Sequence, residues 1–357
     1  IGICVEYLNN LKNFPKFAIF RKYPNFLKFI SLIFVLIVCL PTTFNACYNF
    51  HIRSIVNDDV ASAADWINKE TPNETVIILE WSYGHFFSAR ADRPVIFDGR
   101  MAYIETLPIR EYDSAYLYND KSPNPSRDYW ISRAFSTTNE NLSIGIFRML
   151  ASSGDMAYLT LDNYIQNTTK TVLILNDILS SDKTSAKKLL LFKYNLDESQ
   201  TQNVLKFTHP EKPMHYVIIT TSDMANLGKS TFNTGNWDFN QLKPGNYTYS
   251  VGIFNTSEDT MNTTNEVFIN LKNEFVSWKN KTPYMVTIID NGLIKKHNMD
   301  ENSNFVVVIL MDEKKAIVMD KKFEKSMFTK MVLERSGGKY FKPLFQNKEV
   351  VIWEPKI

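Results

Sequence analysis

From Phe29 to Phe50 the chain carries no charged side chain, and Phe29–Leu40 is almost wholly apolar. As a helix the 22 residues 29–50 span about 33 Å, close to the thickness of a bilayer core. Pro41 suits a kink or an early end, and Tyr48 and Phe50 suit an interfacial belt. Lys12, Lys16, Arg21, Lys22 and Lys28 precede the run, whereas His51, Arg53, Asp58 and Asp59 follow it. The positive-inside rule then expects 1–28 as a cytoplasmic loop, 29–50 as one transmembrane helix, and everything beyond about 50 outside the cytoplasm. A cleaved signal peptide fits less well, because the preceding stretch is long and no Ala-x-Ala site follows.

A net charge of +2 gives no footprint for nucleic acid, so none is expected as a partner. The three cysteines are Cys4, Cys39 and Cys47. Everything beyond residue 47 therefore lacks both a disulfide framework and a cysteine metal site, and must be held by apolar cores.

Residues 58–69 read as a helix, with Val60, Ala64 and Ile67 on one face, two aspartates at its positive end and Pro72 beyond it. Thr75–Leu79 and Tyr216–Thr220 are short apolar runs of the kind buried on both faces of a sheet. Helical patterns lie between them at 139–151, 155–166, 171–179 and 183–192, so 55–240 is expected to be a mixed α/β domain. After Pro244-Gly245 the texture turns β-rich. Strands are expected at 247–254, 266–271, 284–289, 305–311, 315–319 and 349–353, with a helix near 323–334, as a smaller β-rich domain over 241–357.

The first buried run ends in Glu80-Trp81-Ser82-Tyr83-Gly84-His85-Phe86. Polar and aromatic groups at the C-terminal end of a strand in an α/β sheet stand where ligands usually bind; the same residues also suit a strand end that packs Trp81 and Phe86 in the core. This stretch resembles the catalytic subunit of prokaryotic-type oligosaccharyltransferase, which carries Trp-Trp-Asp-Tyr-Gly just beyond its last transmembrane helix. The likeness continues in order through Ala91–Val95, Phe97–Gly99, Tyr129–Ala134, Asn141–Leu150, Lys206–Pro210 and Ile219–Met224. It implies an enzyme that moves a lipid-linked oligosaccharide to Asn in Asn-x-Ser/Thr of an acceptor polypeptide, with this part reading the acceptor.

Within the motif Trp81, Tyr83 and Gly84 match the family, whereas Glu80 replaces the first Trp and Ser82 the Asp. Glu80 still offers a carboxylate, but from a side chain that faces the opposite way if the strand continues. Asp223 and Lys229 loosely resemble the family's Asp…Lys helix motif, and would join Glu80, Trp81, Ser82, Tyr83 and Gly84 around the acceptor hydroxyl. Asp223 equally suits a helix cap and Lys229 a solvated charge. His85 adjoins the motif and suits contact with the carrier's pyrophosphate. His209 and His215 read as structural.

The family's divalent cation (Mn or Mg) and its catalytic acids lie among earlier transmembrane helices. The chain starts at Ile1 and has one apolar span, so the resemblance implies a C-terminal fragment without the metal ligands, inactive alone. The alternative is a membrane-tethered pseudoenzyme or binding module. Seven Asn-x-Ser/Thr sequons, at Asn73, Asn141, Asn167, Asn246, Asn255, Asn262 and Asn280, would face a glycosylating compartment if the topology holds.

Overall fold

The computed structural model describes residues 56–98, 127–241, 243–254 and 260–356, together with isolated helical positions between 33 and 44. The expected loop 1–28 and most of the expected span 29–50 lie outside the described residues. Among those described there, Ile33, Ile37, Leu40 and Phe44 are helical and exposed. Among the described residues no helix is long and apolar enough to cross a membrane.

Residues 58–357 form one compact unit. Helix α1 (Asp58–Glu70) buries Val60, Ala63, Ala64 and Ile67 along one stripe, with two aspartates in its first turn. Strand β1 (Val76–Ile78) is followed by α2 (Gly84–Ala91), α3 (Arg127–Ser136), α4 (Glu140–Ser153), α5 (Met156–Ile165), α6 (Thr168–Leu179), α7 (Lys183–Lys188) and α8 (Glu198–Thr208). Side chains cap several of these helices. Asn139 accepts from the Asn141 and Leu142 amides, and Asp197 forms a reciprocal capping box with Gln200.

Strand β2 (Tyr216–Thr221) is buried throughout and leads into α9 (Gly228–Gly235). It pairs parallel with β1, Val76 opposite Tyr216 and Ile78 opposite Ile218. Ten further strands follow: β3 (Tyr249–Ile253), β4 (Thr260–Asn262), β5 (Val267–Asn270), β6 (Phe275–Trp278), β7 (Met285–Asp290), β8 (Leu293–Asn298), β9 (Phe305–Leu310), β10 (Lys315–Asp320), β11 (Phe341–Gln346) and β12 (Val350–Pro355). They complete a four-stranded sheet in the order β1-β2-β12-β11, a five-stranded sheet β3-β10-β9-β7-β8, and a three-stranded sheet β4-β5-β6.

The fold is thus mixed α/β with β-rich sheets. The boundary expected near residue 240 does not separate two cores. Strand β12 returns to pair antiparallel with β2, Ile352 opposite Ile219. The main core also runs without interruption from the helices to the five-stranded sheet. Strand β9 shows how: Val306, Val308 and Leu310 enter that core, while Phe305, Val307 and Ile309 enter a second one shared with Val267 and Ile269 of the three-stranded sheet. A period of two with both faces covered buries every residue of the strand. The helix expected near 323–334 is present as a short one: a 3₁₀ turn over Lys321–Phe323 is followed by helical residues 327–333, of which Thr329–Leu333 have π character.

Candidate acceptor site at the ends of two parallel strands

Strand β1 stops at Ile78, within the run Thr75–Leu79 read as a strand, and does not continue through Glu80. Trp81–Tyr83 instead form a single 3₁₀ turn that runs directly into α2. Gly84 permits the tight junction: a Cβ there would lie 2.2 Å from the Phe97 carbonyl oxygen and 2.6 Å from the Asp98 Cα. Strand β2 ends the same way, with the 3₁₀ segment Ser222–Leu227 leading into α9. Because the two strands are parallel neighbours, these junctions sit side by side at one edge of the sheet.

The turn changes what Glu80 can do. Its backbone is extended and it caps the turn, its carboxylate accepting from the Ser82 amide at 3.0 Å and from the Ser82 hydroxyl. Both bonds land on Oε2; Oε1 accepts none among the described residues. Because the strand does not continue, its alternation does not apply to Glu80, and the Glu80 carboxylate lies over the position of Ser82. Half-burial raises its pKa against the Ser82 hydrogen bonds.

Tyr83 is 5% exposed and donates its hydroxyl to Asp223 Oδ2 at 3.2 Å. Burial and the Asp223 charge push the phenol up to about 12, keeping it a donor across the physiological range. The two segments singled out in the sequence thus meet through this bond. Trp81 is partly buried and packs on the main core. Asp223 is exposed in the first 3₁₀ turn after β2, not a helix cap. Lys229 is exposed in the first turn of α9 and makes no hydrogen bond or ion pair among the described residues. Exposed His85 faces a carboxylate, its Nδ1 lying 3.7 Å from buried Asp98 Oδ2.

Asp128, in the first turn of α3, was not marked by the sequence. Burial first, and then the Glu80 charge, push its carboxyl up to about 6. Its neighbour Arg127 is fixed to Asp155 at 3.1 Å. The available signal was a lone acid opening the apolar run Tyr129-Trp130-Ile131. His209 and His215 are structural: His209 Nε2 donates to the Ser181 carbonyl at 3.0 Å, and His215 Nε2 lies 3.0 Å from Glu354 Oε1. Among the described residues no group of three or more His, Cys, Asp or Glu is placed to hold a metal ion, so they do not fit a divalent-cation centre.

No family model matches the chain. It is 36% identical over 222 residues to the dolichyl-phosphooligosaccharide-protein glycotransferase of Methanocaldococcus jannaschii, a match covering 61% of this chain and 21% of that protein. It is 35% identical over 215 residues to the protein of the same name from Methanococcus voltae, covering 59% and 21%. The chain therefore matches about a fifth of the length of these curated relatives. Among solved structures, the C. jejuni PglB C-terminal domain superposes with a TM-score of 0.53 at 16% identity. The superposition covers 83% of this chain and 99% of that domain, a likeness of fold.

Proposed function

Because the chain is a relative of the dolichyl-phosphooligosaccharide-protein glycotransferases over 61% of its length, we propose that it is the acceptor-reading C-terminal part of an oligosaccharyltransferase. The intact enzyme moves an oligosaccharide from a lipid carrier to Asn of Asn-x-Ser/Thr. Residues 29–50 anchor this part in the cell membrane, with the N-terminus cytoplasmic and 58–357 outside. The divalent cation and catalytic acids belong to other parts of the intact protein, and this part alone is inactive.

One observation carries the reading: the Glu80 carboxylate lies over Ser82, beside Trp81, and among the described residues its Oε1 accepts no hydrogen bond. In this reading Glu80 Oε1 accepts the hydrogen bond of the acceptor Ser/Thr hydroxyl, replacing the carboxylate that the family carries where Ser82 stands. The Trp81 indole N–H donates to the same hydroxyl. Tyr83 and Gly84 hold the turn, Asp223 braces Tyr83, and Lys229 lies at the rim. His85 contacts the carrier's pyrophosphate in competition with Asp98.

A hydrogen bond to a charged group contributes about 1.5–3 kcal/mol, or about 10–100-fold in binding. The test is the affinity of the membrane-embedded chain for an Asn-x-Thr peptide, against the same peptide with Val for Thr. Trp81→Ala and Glu80→Gln should each weaken Thr-peptide binding by about tenfold or more and erase the preference over Val. Absence of any preference in the unsubstituted chain would sink the reading in favour of the tethered pseudoenzyme or binding module. That second reading draws on the same substitutions at 80 and 82.

A further inference from the structure

The sequons are not equivalent once folded. Thr75, which completes the Asn73 sequon, is fully buried, with its hydroxyl 2.9 Å from His215 Nδ1. Ser143, completing that of Asn141, is fully buried on α4. Asn167 caps α6, its side-chain oxygen accepting from the Lys170 amide at 2.8 Å. The Asn246 sequon ends in half-buried Thr248, whose amide donates to Asp320 Oδ2 at 3.0 Å and whose carbonyl accepts from the Asp320 amide at 3.2 Å. Asn280 occupies a tight turn at φ 61°, followed by Lys281, which exchanges two backbone bonds with Trp278, and by half-buried Thr282. Asn255 lies outside the described residues.

Asn262 differs from all of these. Among the described sequons it alone joins an exposed Asn to an exposed hydroxyl residue, Thr264. Asn262 ends β4, an outer strand of the three-stranded sheet, and makes no side-chain hydrogen bond among the described residues. The Thr264 oxygen accepts from the Ile253 amide at 3.0 Å, and among the described residues its O–H hydrogen meets no acceptor. Both groups that an acceptor reader must engage, the amide and the hydroxyl, are thus presented together at a strand end.

We propose that Asn262 is an N-glycosylation site of the folded protein, while Asn73 and Asn141 remain unmodified in it. The inference rests on the outside placement proposed above. The donor is a lipid diphosphate-linked oligosaccharide, delivered by a second copy of the intact enzyme or by another transferase of its class. The Asn262 Nδ2 forms a bond to the anomeric carbon as the bond from that carbon to the diphosphate oxygen breaks. The amide gives up one proton to a carboxylate of that transferase, and the lipid diphosphate leaves with the electron pair.

The test is glycopeptide mass mapping of the full chain, fused to a flexible C-terminal Asn-x-Thr tag. It is produced in cells that transfer lipid-linked oligosaccharide outside the cytoplasm. The expected result is glycan on the tag and on Asn262, none on Asn73 or Asn141, and loss of one glycan mass in Asn262→Gln. A modified tag with bare Asn262 overturns the inference and leaves the outside placement standing. A bare tag and a bare Asn262 overturn both. Glycan on Asn73 or Asn141 at the level of Asn262 overturns the claim that the fold selects.

Discussion

The hydroxyl of Tyr83 and the carboxylate of Asp223, 140 residues apart in the chain, share a hydrogen bond of 3.2 Å. The bond ties the turn after β1 to the turn after β2. The parallel pairing of those strands supplies the proximity, and the buried phenol supplies the donor. Removing either partner should loosen the edge at which Glu80 and Trp81 stand. Tyr83→Phe should cost about 1 kcal/mol of stability, because Asp223 is exposed and recovers water. A double-mutant cycle with Asp223→Asn, by urea unfolding, should give a coupling of about 0.5–1 kcal/mol. Strict additivity would mean the bond does not link the two turns.

Gly84 should resist even a single added methyl group. Its Cβ position overlaps backbone atoms of Phe97 and Asp98, which cannot rotate aside as a side chain tip would. Gly84→Ala should cost about 2–3 kcal/mol by overpacking. The drop is read as a lower unfolding midpoint in urea at unchanged slope; a midpoint within error of the parent would show that the junction can shift freely.

Asp128 gives the stability a pH dependence of defined sign. Its folded-state pKa of about 6 lies above the ordinary 3.8. Below pH 4 the carboxyl is protonated in both states and contributes nothing. As pH rises from 4 to 6 the unfolded chain releases the proton first, so stability falls by up to about 3 kcal/mol. Asp128→Asn should flatten this limb and be the more stable protein at pH 7. Parallel curves for parent and variant, measured from pH 4 to 7, would remove Asp128 as the cause.

Much of the fold was legible in the sequence because its long helices and doubly buried strands carry clear patterns. Strand β9 is a run of six apolar residues, and α1 has both its acidic start and its apolar stripe. Strand β8 was missed because Leu293–Asn298 is exposed along most of its length and so has no alternation to detect. Strand β11 was missed because Pro343 and an irregular register interrupt it. Helix α8 was also missed, although its capping box is written in Asp197 and Gln200. At the site, the motif was found but its geometry was not. Strand alternation could place Glu80 only if the strand went on, and a 3₁₀ turn obeys a different period. Asp128 offered only the faint signal of an acid opening an apolar run, since its desolvation and its nearness to Glu80 depend on how α3 is placed rather than on its neighbours in the chain.

The return of β12 to the first sheet sets a schedule for biosynthesis. Strand β2 needs a partner on each side, and the second one, residues 350–355, is translated some 130 residues later. During that interval the edge of β2 stays open, and the paired turns beside it lack the support of Glu349, which holds Ser222 through both backbone and side chain. Contacts of such high sequence separation close slowly. A ribosome stalled before residue 350 would therefore display an unfinished sheet, and a nascent chain at this stage is the natural client of a chaperone.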